Sequence, residues 1–134
     1  MNLDSIRTAF APHILSALRI MTGLLFLQHG TAKYLKLPYV PMFDKLQMFS
    51  PSGIAGIFEL VGGALIVVGL FTRPVAFVLS GLMAFAYFMA HAPRGFYPIL
   101  NQGELAILYC FVFLYLACAG GGPWSADGIV RKRA

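Results

Sequence analysis

Six polar residues stand in a strongly apolar chain at places where chemistry could follow from them: His29, Lys33, Glu59, His91, Asn101 and Glu104. Imidazole and ammonium groups donate hydrogen bonds to carbonyl oxygens, and carboxylates accept and release protons. A layer holding them all is therefore equipped to bind a polar headgroup and exchange protons with it. Arg19 is a further charge in apolar surroundings, within "RIMTGLLF". Groups of this kind are costly in hydrocarbon unless they face a bundle interior or water and find partners. Imidazole with carboxylate also suits iron or manganese. The Glu-x-x-His pairs of di-iron helix bundles are missing, however, and no metal is expected.

The elements that must position these residues follow from composition. The chain is 59% hydrophobic and 11% charged, with a mean hydropathy of +0.77, outside the range of soluble domains of this length. Four stretches read as membrane-spanning helices, about Ile14 to Gly30, Ile54 to Phe71, Val75 to Ala90 and Glu104 to Ala119. They are short and closely spaced, which favours one domain over residues 1–134. The expected fold class is all-α, an integral membrane four-helix bundle. The longest connection, "TAKYLKLPYVPMFDKLQMFSPSG", mixes aromatics and methionines with lysines and suits a loop in the interface between helices 1 and 2, with a short helix opening at Pro41. Between helices 3 and 4, breakers in "HAPRGFYPILNQGE" exclude a continuous helix. The first apolar stretch holds Arg19 and ends in "QHGTAKY" rather than a small-residue cleavage site, so it reads as a retained helix.

Cys110 and Cys118 sit eight apart on the fourth helix, roughly 12 Å along its axis, too far for a disulfide. They read as buried small hydrophobes, and the spacing argues against thiol redox chemistry. The net charge of +5 comes from residues flanking the spans, not from a stripe, which argues against nucleic-acid binding. With an even number of spans both termini share a side. That side collects Arg7, Arg73, Arg131, Lys132 and Arg133, against Lys33, Lys36, Lys45 and Arg94 opposite. The bias places both termini in the cytoplasm, where the closing "RKRA" would suit anionic headgroups.

Antiparallel spans then put His29, Lys33, Glu59, His91, Asn101 and Glu104 in one layer at the outer side. Helical spacing aligns Arg19, Gly23, Phe26, Gly30 and Lys33 on helix 1, with His29 at the edge of the stripe, and Gly56, Glu59, Gly63 and Ile66 on helix 2. On helix 3 it aligns Ser80, Ala84, Tyr87 and His91, and on helix 4 Glu104, Leu108, Phe111 and Tyr115, as inward stripes. Each polar residue also has a structural reading. "NQGE" can be a capping box closed by Glu104, Arg19 and Lys33 can snorkel to headgroups, and Glu59 can pair with Lys33 or Arg19.

The stretches "RIMTGLLFLQHGTAK", "GIFELVGGALIVVGLFTRPVA", "NQGELA" and "GGGPWSAD" resemble the DoxX family of small bacterial four-helix membrane proteins. The resemblance covers nearly the whole chain, and Arg19, His29, Gly30, Lys33, Glu59, Arg73, Asn101 and Glu104 match its recurring polar and small positions. It implies a bacterial inner-membrane protein associated with redox or oxidative-stress systems, the family taking its name from a subunit of quinone-linked sulfur oxidation. Two function classes follow. One is a redox subunit whose outer layer, His29, Lys33, Glu59, His91, Asn101 and Glu104, holds a quinone headgroup, with Arg19 as a further cofactor-binding candidate, in contact with other membrane or periplasmic redox subunits. The other is a non-enzymatic partner or assembly factor of a redox complex. No haem, flavin or nucleotide motif accompanies either.

Overall fold

The computed structural model describes residues 2–133, so Met1 and Ala134 of the domain expected over 1–134 lie outside the described residues. The chain is all-helical. α1 runs Leu3–Tyr34, a 3-10 turn covers Pro41–Phe43, α2 runs Pro51–Val68 and α3 Thr72–Ala86. A π-helical turn at Tyr87–His91 and a 3-10 turn at Ala92–Arg94 extend α3; α4 (Pro98–Asn101), α5 (Glu104–Ala119) and α6 (Ala126–Arg133) complete the order. The four long helices form the bundle. α1 packs along α2 and α3 along α5, and the two pairs meet chiefly through α2 and α3.

Local chemistry sets the boundaries. α1 is capped by Asn2, whose side chain accepts from Ser5 N at 2.9 Å, and carries Lys33 in its last turn. Its 32 residues make a rod about 48 Å long, well beyond the apolar stretch 14–30, because the helix continues through polar sequence at both ends. α2 opens with Ser50 as cap and Pro51 in the first turn. It stops at Gly69, whose φ of 75° is open to glycine and whose N–H returns to Leu65 O at 2.8 Å. The apolar run to Phe71 is thus cut short by backbone geometry. α3 begins at Thr72, before Pro74, because Asp127 of α6 accepts the Phe71 and Thr72 N–H groups, each at 2.8 Å. α5 has the expected bounds; its 16 residues give about 24 Å, whereas α1, α2 and α3 with its extension are each long and apolar enough to cross a membrane.

α1 and α2 approach closely through small residues. A Cβ on Gly30 would stand 2.5 Å from Leu60 N, and one on Gly63 2.9 Å from Leu27 Cα. The core between the pairs is Phe26, Ile66, Ala76, Leu79, Met83, Tyr109, Phe113 and Leu116. Phe26 sits edge-on to Phe113 at 5.0 Å and to Tyr109 at 5.3 Å, the favoured aromatic geometry.

The inward stripe expected on helix 4 is corrected. Glu104, Leu108, Phe111 and Tyr115 are exposed, and Ala106, Tyr109, Phe113 and Leu116 face the core. After Glu104 the positions of α5 are apolar enough that periodicity does not choose a face; packing of Tyr109 and Phe113 against Phe26 does. Cys118 is likewise exposed rather than buried.

Candidate functional site

The end of the bundle reached by the last turn of α1, the first turns of α2 and α5, and the extension of α3 gathers most of the polar candidates. Glu59 is turned inward by the same spacing that buries Gly56 and Gly63. Lys33 donates to Glu59 Oε1 at 3.1 Å, and its Nζ stands 2.9 Å from Oε2. The ammonium thus lies against both carboxylate oxygens, with its hydrogen bond to Oε1. Lys33 also donates to Ser52 O at 3.1 Å, and Phe43, from the 3-10 turn in the loop, lies beneath its Nζ at 5.7 Å. The loop therefore covers this end, and the ammonium is held by a carboxylate, a carbonyl and an aromatic face.

Beside the pair is a cavity of about 270 Å³ lined by Phe26, His29, Glu59, Met83, Ala86, His91, Gln102, Leu105, Ala106 and Tyr109. His91 enters it from the π-helical turn, a distortion that recurs at functional sites. Its Nδ1 lies 3.0 Å from Asn101 O. A carbonyl only accepts, so Nδ1 carries the proton, and the neutral ring has Nε2 as an acceptor. His29 is edge-on to Tyr109 at 6.4 Å. The Tyr109 hydroxyl is buried without a hydrogen-bond partner. A buried phenol left unpaired costs stability, and Glu59 Oε2 in the same lining is likewise without a hydrogen bond.

Two candidates serve structure. Asn101 is wholly buried; it donates to Gly95 O at 2.9 Å and Tyr87 Oη at 3.2 Å, and accepts from Gly103 N at 2.8 Å. It fixes the turn before α5 and, through its carbonyl, the ring of His91. No capping box closes with Glu104: the cap of α5 is Gly103, without a side-chain bond, and Glu104 is exposed, outside the cavity.

Arg19 is separated from the layer. It lies fourteen residues before Lys33 on one helix, about 21 Å along the axis. The side chain is 0% exposed and does not snorkel. Nε donates to Gly121 O at 2.8 Å, Nη1 to Ile66 O at 2.7 Å and also to Val67 O, and Nη2 to Trp124 O. Arg19 thus ties the end of α2 to the loop after α5. That loop is "GGGP" because it threads between α1 and α6: at Gly122, with φ of 77°, a Cβ would meet Ser16 Oγ at 2.3 Å. Sequence reasoning missed this use of the glycines, although a buried arginine with no acid on facing helices is a signal that main-chain acceptors hold it. It also missed Tyr109, because a tyrosine among aromatics reads as core.

The arrangement offers a cavity whose lining brings together Glu59, His29, His91 and Tyr109 among apolar walls. Among the described residues no three His, Cys, Asp or Glu side chains come together as a metal site. The DoxX family model matches residues 14–92. The chain belongs to the DoxX family. The match takes in Arg19, His29, Lys33, Glu59 and His91, while Tyr109 lies beyond it. An uncharacterized protein of Haemophilus influenzae is 43% identical over 92% of this chain and 96% of its own length. An uncharacterized membrane protein of Mycobacterium tuberculosis is 25% identical over 94% of this chain and 86% of its own. A Bacillus subtilis protein named "Putative oxidoreductase CatD" is 28% identical over 86% of this chain and 85% of its own. No solved structure gives a significant match.

Proposed function

We propose that this DoxX-family membrane protein is a redox-associated subunit whose cavity at the Glu59 end takes a quinone headgroup. The observation that carries the reading is the unpaired Tyr109 hydroxyl, buried in a cavity that also holds His29, Glu59 and His91. The phenol donates to a quinone carbonyl, and Glu59 or the Nε2 of His91 accepts from a quinol hydroxyl, so both oxidation states find partners. At about 270 Å³ the space is just below the ~300 Å³ at which drug-sized pockets begin, and suits one substituted ring. A second cavity of about 380 Å³ between α2 and α3 shares Glu59, Met83 and Ala86 with the first and is otherwise mostly apolar. It gives an isoprenoid tail a way out to lipid. The name of the Bacillus subtilis relative agrees with redox association, and in this reading a partner redox subunit exchanges the electrons.

The test is solvent extraction of the chain purified in mild detergent, with quinone measured by mass spectrometry. Wild-type protein should carry near-stoichiometric quinone. Tyr109→Phe, which removes only a hydroxyl without a partner in the ligand-free fold, should lose about tenfold in quinone affinity, the loss of one neutral hydrogen bond, with quinone-free thermal stability equal to or above wild type. Wild-type protein free of quinone, or Tyr109→Phe retaining it fully, overturns the reading.

One observation favours the second reading, a non-enzymatic partner or assembly factor. The Lys33–Glu59 pair is closed on itself and on Ser52 O, as a device that fixes helix register would be, and Tyr39, Met42 and Phe49 of the covering loop are exposed for docking. In that case Tyr109→Phe is silent, and Glu59 variants lower protein abundance without changing any bound lipid.

A further inference from the structure

We propose that the opposite end of the bundle holds a phosphate site for the headgroup of an anionic phospholipid, a site that does not depend on the quinone reading. The first turn of α3, the loop after α5 and α6 enclose a cavity of about 650 Å³ there. Its cations are Arg73, Arg131 and Lys132, and its one carboxylate is Asp127. That carboxylate is already committed, with both oxygens accepting from the amides of Phe71 and Thr72.

The balance of charge is what calls for an anion. Among the described residues the ion pairs are Lys33–Glu59 and Lys36–Asp44, both at the other end, and no carboxylate of a described residue lies within 4.0 Å of Arg73, Arg131 or Lys132. One Arg73 nitrogen is taken by Cys118 O; among the described residues Arg131 and Lys132, two of the three cations of α6, make no side-chain hydrogen bonds. Behind the cavity wall stands Arg19, wholly buried, its hydrogen bonds all to carbonyls and its charge offset by Asp127. Three cations of the lining thus remain without a free carboxylate to balance them, and a low-dielectric site with that surplus attracts negative charge.

The setting names the source of the anion. Phe71 and Trp124 beside the cavity are 63% and 57% exposed, in the manner of aromatic residues at headgroup level. α6 carries exposed Ile129 and Val130 followed by Arg131, Lys132 and Arg133, an apolar patch with a basic end that suits a helix lying in the interface. A phosphodiester with acyl chains matches both features: the phosphate meets Arg73, Arg131 and Lys132, and the chains run down the apolar outer surface. A zwitterionic headgroup would bring its own cation into a site already positive.

Thermal unfolding of the full chain in detergent, with added lipid, tests this. Dioleoylphosphatidylglycerol should raise Tm saturably, and dioleoylphosphatidylcholine and sodium phosphate should not. Arg131→Gln with Lys132→Gln, both exposed and outside every side-chain bond of the fold, should keep the lipid-free Tm but weaken the phosphatidylglycerol response roughly thirtyfold, two surface cations' worth. Arg7→Gln, on α1 and away from the cavity, should respond as wild type. Equal shifts from the two lipids, a full response in the double variant, or an equal loss in Arg7→Gln would each overturn the proposal. A shift reproduced by sodium phosphate would reject the lipid and leave a free anion as ligand.

Discussion

Lys33 on α1 and Glu59 on α2 form an ion pair in which each side chain is less than a tenth exposed, 8% and 9%. It is placed by the close approach of the two helices at Gly30 and Gly56, where a Cβ would strike Leu60 on one side and Lys33 itself on the other. Small residues thus do two things at once: they let the helices touch, and they make the room in which a long basic side chain lies against its acid.

Breaking one half of that pair leaves the other buried and uncompensated. Glu59→Gln should cost on the order of 3 kcal/mol, and replacing both members with apolar residues, Lys33→Met with Glu59→Leu, should recover most of it. Thermal unfolding in one detergent measures both. A double variant no better than the single one would show that the cost comes from lost packing and the lost Lys33–Ser52 bond and not from an uncompensated charge.

How much of this was legible in the sequence differs between helices. The stripes Gly23–Phe26–Gly30 and Gly56–Glu59–Gly63 are written in residue size, and both are buried. α5 has no such contrast along its length, so its inward face is decided only by partners on other helices. The ends of α2 and α3 depend on contacts far apart in sequence: Asp127 caps α3 across 55 residues, and Arg19 finds its acceptors 102 residues on. Periodicity does not contain such pairings. The six-residue layer was legible as depth, but which of its members meet in a cavity was not. Glu104 and Asn101 differ by three positions, and one is exposed while the other is sealed.

Arg19 should resist conservative change. Lysine keeps the charge but offers one nitrogen where the planar fork reaches Ile66, Gly121 and Trp124 together. Arg19→Lys should destabilise by about 2 kcal/mol or more, through carbonyls left unpaired. Hydrogen exchange should rise first in residues 120–128, the segment the guanidinium holds. Uniform exchange along the chain would argue against that local role.

Glu104→Gln should be nearly neutral. The side chain is exposed at the start of α5 and lines no cavity, so the change removes at most a favourable charge at a helix N-terminus, under about 1 kcal/mol. Stability and bound quinone should both match wild type. A selective loss of quinone would mean that Glu104 turns into the cavity when a ligand is present.

The distribution of basic residues predicts both termini in the cytoplasm. A reporter active only in the cytoplasm should work when fused after α6 and fail when inserted in the 38–51 loop. The reverse result would turn the Glu59 cavity toward the cytoplasm. It would also put the basic cavity against the opposite leaflet.

Asp127 supplies a pH dependence with a definite sign. Burial alone would raise its pKa, but the amides of Thr72 and Phe71 and the charge of Arg19 outweigh it and hold the carboxyl below its ordinary value. A carboxylate whose pKa is lower folded than unfolded contributes stability that is present above the unfolded value, about 3.9, and is lost as pH falls through the folded one. The N-terminus of α3 should therefore loosen only in strong acid. Asp127→Asn keeps one acceptor oxygen of the two, so it should cost ~1 kcal/mol at neutral pH, the worth of a helix cap, and the gap from wild type should close below about pH 4. Thermal unfolding of both proteins across pH 3 to 7 decides it: curves that stay parallel into acid would show that Asp127 holds α3 by shape and not by charge.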